Sequence, residues 1–210
     1  MTTHSAAERA ALVDALRAAG PEAPTLCAGW TAHDLAAHLV ARERRPDSTL
    51  GLLVPAFASW TERVRKNIAR RPYPELLDQI AGGPPRTSPF ALPGVDASVN
   101  LGEHFVHCED VRRAAPNWAP RGIPDQRQRA LWKLLGSRGK LFLRDSPVPA
   151  TLATPDGRTI EARPGDGGVR LTGEPAELVL YTYGRGVHAQ VQVDGSPEAL
   201  RRFEQVSFGV

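Results

Sequence analysis

One stretch of the sequence concentrates residues that could bind a metal ion. Residues 101–114 contain two of the six histidines, one of the two cysteines and three carboxylates. Read as a helix, the stretch places Glu103 and His107 one turn apart on one face, and Asp110 follows one turn later on nearly the same side. A carboxylate and an imidazole in this arrangement can hold a divalent cation if a third ligand arrives from elsewhere. The spacing therefore predicts two ligands of a metal site.

The third ligand is predicted from an earlier segment. Thr31 and Asp34 form a capping-box pattern that predicts the start of a helix. That helix carries Leu35, His38 and Leu39 on or near one face. His38 is therefore the candidate for completing the site, and the alternative is a core histidine that bonds to a backbone carbonyl.

The Glu103–His107 pair also has a purely structural interpretation. A buried carboxylate is costly unless it is paired or bound to a metal. Glu103 could instead pair with Arg112, Arg113 or a solvent-facing partner, with His107 simply partly buried. In the metal interpretation, Asp110 could orient the His107 ring.

The other polar residues nearby are predicted to lie outside the site. His104 lies about 100° around the helix from Glu103, so it is assigned to packing, as is Cys108. Glu109 and Arg113 are spaced as an i,i+4 ion pair on an outer face. Cys27 is interpreted as a small buried hydrophobic residue, with a thiolate ligand as the alternative.

The organisation of the chain predicts an α+β fold. Helical patterns fill the first two-thirds of the chain, beginning with a capping box at Ser5 and Glu8. From Ser146 the pattern changes to short strands and helices. A strand, an Asp-Gly turn and a second strand are predicted within 151–162, further strands at 169–172 and 187–193, and helices from 174 and 196. We therefore predict a helical domain over 1–145 and a small α+β domain over 146–210.

Composition excludes several classes of protein. Apolar residues make up 41% of the chain, charged residues 23%, and the formal net charge is +3. No basic run is interleaved with aromatic residues, so no nucleic-acid partner is predicted. A signal-peptide pattern and a run of roughly 18 apolar residues are both absent, so no membrane association is predicted. Two cysteines make no disulfide framework, which favours a reduced, cytoplasmic protein.

Two motifs together resemble a known family. Residues 27–39 read CAGWTAHDLAAHL and residues 103–110 read EHFVHCED. The pair is similar to the actinobacterial mycothiol-dependent maleylpyruvate isomerase family, within the DinB-like metal-binding four-helix bundles. The segment 173–185 resembles the small C-terminal domain of that family, which is similar to sterol-carrier-protein folds. The resemblance implies a DinB-like four-helix bundle in the first domain and a fold similar to sterol-carrier proteins in the second.

The resemblance also implies a ligand set and a chemistry. His38, Glu103 and His107 would bind one divalent metal, expected to be zinc, with one coordination position left open. The thiol would be mycothiol, and a metal-bound thiolate would attack a small electrophilic substrate in a transferase or isomerase reaction. Arg185 is the candidate catalytic residue, binding an anionic group of the substrate through its planar fork; the alternative is a surface arginine.

A second function class stays open at this stage. The chain could be a non-catalytic metal-binding or ligand-binding module in stress or detoxification. A fourth ligand position filled by His104 or Cys108 would favour that alternative, and an open position would favour an enzyme. The expected partners are a small-molecule thiol and a small electrophile, and the sequence leaves a homodimer open.

Overall fold

The structure is a computed structural model, and it describes residues 3–45, 47, 58–206 and 208. These residues form eight α-helices of at least six residues and a four-stranded sheet, which confirms the α+β class. The chain divides into two compact units, Met1–Pro120 and Arg121–Val210. None of the described helices is long and apolar enough to cross a membrane.

The first unit is helical in its described part. Its helices are α1 (His4–Ala19), α2 (Ala32–Arg44), α3 (Ala58–Ile68), α4 (Tyr73–Ala81) and α5 (Leu101–Arg112). A π-helical segment, Asp96–Asn100, leads directly into α5. Helix α5 packs along α1, and α2 packs against α3 and α4. The apolar faces of these helices meet in one core that includes Leu12, Leu16, Leu35, Leu39, Leu76 and Ile80.

Helix capping confirms one predicted start and corrects the other. The Thr31 hydroxyl accepts from the Asp34 N–H, and the Asp34 carboxylate accepts from the Thr31 N–H, as the capping-box pattern predicted. The prediction of Ser5 as the N-cap of α1 is wrong. Thr3 caps this helix by accepting from Ala6 N–H, and Ser5 lies buried inside the helix.

The second unit combines one long helix with the sheet. Its elements are α6 (Asp125–Phe142), β1 (Ala150–Ala153), β2 (Thr159–Arg163), β3 (Val169–Thr172), α7 (Pro175–Leu180), β4 (Gln192–Gly195) and α8 (Pro197–Phe203). The strand order is β2-β1-β3-β4. Strand β1 pairs antiparallel with β2 and parallel with β3, and β4 pairs antiparallel with β3.

Most strands of the second unit lie where the sequence predicted them, but one boundary differs. The strand predicted over 187–193 begins only at Gln192, because Gly186–His188 form a 3₁₀ turn. The predicted domain bounds, 1–145 and 146–210, assigned α6 to the first domain. In the structure α6 packs on β2 and α7, and a Cβ at Gly139 would lie 3.6 Å from the Ala162 side chain. This packing groups α6 with the sheet.

Candidate metal centre

The three predicted ligands meet between two helices of the first unit. His38 comes from α2, and Glu103 and His107 come from α5. One carboxylate oxygen, Glu103 Oε1, lies 3.4 Å from His38 Nε2 and 3.2 Å from His107 Nε2. The two imidazole rings meet edge to face, with their centroids 5.4 Å apart. The structure thus brings together the residues that the sequence selected.

The spacing of these donor atoms fits a single metal ion. Nitrogen and oxygen ligands at about 2.0–2.1 Å from zinc in tetrahedral geometry lie roughly 3.3–3.5 Å from each other. The two nitrogen–oxygen distances at Glu103 agree with this value, and all three ligand atoms lie within 4.8 Å of one another. The side chains of His38, Glu103 and His107 keep 18%, 20% and 11% of their surface exposed. The cluster therefore reaches solvent.

The hydrogen bonding of His107 calls for a proton or a cation on its second ring nitrogen. Its Nδ1 lies 2.8 Å from Asp110 Oδ2, and an ionised carboxylate only accepts hydrogen bonds. Nδ1 therefore carries a proton, which leaves Nε2 facing the Glu103 carboxylate, a second acceptor. The contact is favourable only if a proton or a cation sits on Nε2. A carboxylate on the far nitrogen is the usual support of a metal-bound histidine.

The pKa values follow from these contacts. Burial acts to lower the pKa of His107, but hydrogen bonds to Asp110, Cys27 and Glu103 outweigh burial and hold this pKa well above its ordinary value. Burial acts to raise the pKa of Glu103, but hydrogen bonds from both histidines hold it well below its ordinary value. Burial lowers the pKa of His38, which favours its neutral, ligating form.

Cys27 and Asp110 form a second group of metal-ligating types around the same imidazole. Cys27 Sγ lies 3.2 Å from Asp110 Oδ2 and 3.9 Å from His107 Nδ1. The 2.8 Å separation of Nδ1 and Oδ2 is a hydrogen-bond length. We therefore interpret this group as support for the ring, with the Cys27 thiol donating to Asp110. Leu26 N–H also donates to the Asp110 carbonyl at 3.0 Å.

Arg42 is a site residue that the sequence reasoning missed. It lies one turn after His38 on α2, and its side chain is 6% exposed. Arg42 Nε is 3.4 Å from Glu103 Oε1, and Nη1 donates to Asn100 Oδ1 at 2.9 Å. The guanidinium carbon lies 4.1 Å from the centroid of the Phe90 ring. The i,i+4 spacing from His38 was the signal that could have identified it.

His104 lies outside the metal centre, as predicted. It is fully buried, and its Nδ1 is 3.3 Å from Ser5 Oγ, while its Nε2 is 3.2 Å from Glu43 Oε1. Cys108 is buried in the apolar core. Asp34, which caps α2, pairs with Arg65.

The prediction that Glu109 lies on an outer face is wrong. Glu109 is fully buried, and Arg113 is 2% exposed. Glu109 Oε2 accepts from Arg113 Nε at 2.6 Å, and Arg112 donates to the same carboxylate. Both arginines thus pair with Glu109 rather than with Glu103, and the arginine that faces Glu103 is Arg42.

Arg185 lies in the second unit, after α7. Its Nη1 donates to the carbonyl of Tyr183. The adjoining Gly184 has a φ of 85°, a left-handed conformation that favours glycine. The catalytic role of Arg185 stays a prediction.

Comparison with known proteins finds a family model that is similar to part of the first unit. Residues 2–89 match the family model described as "Mycothiol maleylpyruvate isomerase N-terminal domain". A crystal structure of the mycothiol-dependent maleylpyruvate isomerase superposes with a TM-score of 0.62 at 16% identity, covering 91% of this chain and 90% of that chain. The crystal structure of a histidine-to-alanine mutant of that isomerase superposes with a TM-score of 0.53 at 15% identity, again covering 91% of this chain and 90% of that chain. A comparison with curated proteins gave no significant match. The resemblance predicted from the sequence is thus confirmed: residues 2–89 are similar to the N-terminal domain of this family, and the fold of the chain is similar to its solved structures.

Proposed function

We propose that this protein is a metal-dependent enzyme that uses mycothiol, as a transferase or isomerase of a small electrophilic substrate. The observation that carries the proposal is the meeting of His38 Nε2 and His107 Nε2 on one oxygen of Glu103. The name of the structural neighbours, mycothiol-dependent maleylpyruvate isomerase, supports the thiol and the reaction class. We further propose that the first unit is a DinB-like four-helix bundle and that the second resembles sterol-carrier-protein folds.

His38, Glu103 and His107 would hold the ion, which we propose to be zinc. Two neutral imidazoles and one carboxylate form a donor set typical of catalytic zinc. When bound, such an ion lowers the pKa of a thiol that ligates it, so the thiol is available as thiolate near neutral pH.

The chain itself supplies orientation and charge. Asp110 fixes the tautomer of His107, so that Nε2 rather than Nδ1 points at the site. In the metal-free protein the Glu103 carboxylate stays ionised despite its burial, because hydrogen bonds from both histidines hold its pKa well below the ordinary value. Arg185 would bind an anionic group of the substrate through its fork of N–H donors.

The non-catalytic alternative receives less support. A fourth ligand from His104 or Cys108 would have favoured a closed, structural site. In the described part of the chain, His104 is turned to Ser5 and Glu43, and Cys108 lies in the core. An open ligand position is what a thiol needs, so the arrangement favours the enzyme.

Metal analysis tests the site. Protein purified without chelators should contain close to one equivalent of a divalent metal, and the His38→Ala and Glu103→Ala variants should lose it. His33→Ala is the matched control, because His33 bonds to the Arg71 carbonyl and does not contact the site. Full occupancy in the two site variants, or less than about a tenth of an equivalent in the wild type, would show that the ligand assignment is wrong.

Mycothiol titration then tests the enzyme proposal. Cobalt-substituted protein should develop a thiolate-to-metal charge-transfer band on addition of mycothiol, and the corresponding disulfide should produce none. A loaded site that shows no spectral response to the thiol would leave the metal assignment intact but would count against thiol chemistry.

A further inference from the structure

A positive charge is built into the metal centre beside its carboxylate ligand. Arg42 is 6% exposed, and its Nε lies 3.4 Å from Glu103 Oε1. Burial of a charged group is costly unless the group is fully paired. Such a residue so close to a proposed ligand therefore needs an explanation in terms of the site.

The pairing of this guanidinium is incomplete. Its Nη1 donates to the neutral amide oxygen of Asn100, and the buried Nη2 has no hydrogen-bond partner among the described residues. The carboxylate that faces Arg42 is Glu103, which both histidines also contact. One negative charge is therefore shared by Arg42 and the metal ligands.

The position of Arg42 is fixed from several directions. Its guanidinium lies against the Phe90 ring, with the central carbon 4.1 Å from the ring centroid. Asn100, which accepts from Arg42, also donates to the Phe90 carbonyl at 2.8 Å. Arg42 therefore cannot turn to another partner without breaking these contacts.

The charge balance shows what Arg42 adds. A divalent cation with two neutral imidazoles and Glu103 leaves one net positive charge. The Asp110 carboxylate behind His107 cancels that charge, and Arg42 restores it. A buried charge acts strongly over short distances because screening is weak there.

We infer that Arg42 is the residue that makes the centre selective for anionic ligands. The inference rests on the proposed metal site and deepens it. Small anions, such as a thiolate or a carboxylate, are the ligand class that the charge favours over neutral ligands of similar size. The same charge opposes the metal ion itself. Arg42 thus weakens cation binding and strengthens anion binding.

Because Arg42 should affect cation affinity and anion affinity in opposite directions, the two affinities together test the inference. Cobalt-loaded wild type and Arg42→Met are titrated with azide as an anionic probe and with imidazole as a neutral probe, and cobalt affinity is measured by chelator competition. Arg42→Met should bind azide at least tenfold more weakly, bind imidazole within threefold of wild type, and bind cobalt at least threefold more tightly. Arg42→Lys, which keeps the charge, should hold azide affinity within about threefold of wild type.

Arg45→Met is the matched control, because it removes the same charge from the end of α2 at a side chain that is 46% exposed. It should change none of the three affinities by more than twofold. Parallel loss of azide, imidazole and cobalt binding in Arg42→Met would mean a structural role and would overturn the inference. If Arg42→Met takes up cobalt normally and its azide affinity is unchanged, the inference is overturned but the proposed metal site is not. Wild type that takes up no metal would overturn it together with the proposed function.

Discussion

Helix α5 carries two histidine–carboxylate clusters that differ in how their hydrogen bonds are completed. On one side, His104 lies between Ser5 and Glu43, and each of its ring nitrogens has a protein partner. On the other side, the Nε2 atoms of His38 and His107 both face one oxygen of Glu103. Both ring nitrogens of His104 therefore have separate protein partners, whereas the second cluster needs a proton or a cation between its nitrogens and the shared oxygen.

Exposure separates the same two clusters. His104 is fully buried and Glu43 is 1% exposed, whereas Glu103 keeps 20% of its side-chain surface. Residue type alone therefore does not identify a site. A functional cluster has converging acceptors and access to solvent, and a structural cluster has neither.

The largest predicted effects come from replacing one histidine of each cluster: His104→Ala should change stability, and His107→Ala should change metal affinity. His104→Ala should lower the free energy of unfolding by about 3 kcal/mol, because Glu43 loses its hydrogen bond to His104 inside the core and keeps only the 3.8 Å contact with Arg9. Metal affinity should stay within threefold of wild type. His107→Ala should weaken metal binding by more than about a hundredfold, since loss of even a supporting carboxylate costs 10–100-fold.

Urea unfolding and chelator competition on both variants measure these effects. Equal loss of metal in the two variants would remove the distinction between the clusters.

A second prediction concerns the support behind His107. Asp110→Asn should weaken metal binding by about 10–100-fold, because the amide can turn its N–H₂ to Nδ1 and stabilise the wrong tautomer. Nitrogen-15 NMR of the metal-free protein should show His107 protonated on both nitrogens in the wild type and protonated on Nε2 alone in Asp110→Asn. An unchanged protonation pattern with unchanged metal affinity would show that Asp110 does not orient the ring.

The smallest predicted effect lies outside both clusters, at the start of α2. Partial burial acts to raise the pKa of Asp34, but Arg65 and Thr31 outweigh burial, so this pKa lies below its ordinary value. A lowered folded-state pKa stabilises the protein above the unfolded value of about 3.9. That stabilisation is lost as pH falls through the folded pKa.

Asp34→Asn should therefore cost about 1 kcal/mol at pH 7, and its difference from wild type should shrink below about pH 4. Urea unfolding at pH 7 and pH 3 measures this. If the difference in free energy of unfolding between wild type and Asp34→Asn grows towards acid pH, the Asp34 carboxylate does not stabilise the protein in its ionised form.

The meeting of the three candidate ligands could be predicted from the sequence because much of it depends on local geometry. Glu103 and His107 share a face by helical spacing alone, and the capping box located the helix that carries His38. Helix α2 and the four strands were recognised from patterns that need no tertiary information, although the position of β4 was shifted.

The parts that could not be predicted depend on which faces are buried. Glu109 has the spacing of a surface ion pair with Arg113, yet both side chains are buried. Ser5 has the residue type of an N-cap, but its hydroxyl lies within hydrogen-bond distance of the His104 ring. The pairing of Cys27 with Asp110 joins residues 83 positions apart, and no local pattern reports it.

The π-helical segment Asp96–Asn100 determines the rotational phase between α5 and the chain that precedes it. One residue of an α-helix turns the chain by about 100°. Deleting one residue from this wide turn would restore regular α-helix but would swing Phe90 to a different side of α5 from Arg42. The contact between Phe90 and Arg42, which holds Arg42 beside Glu103, therefore depends on the length of this segment as well as on its composition. Insertions and deletions here should be far less tolerated than substitutions.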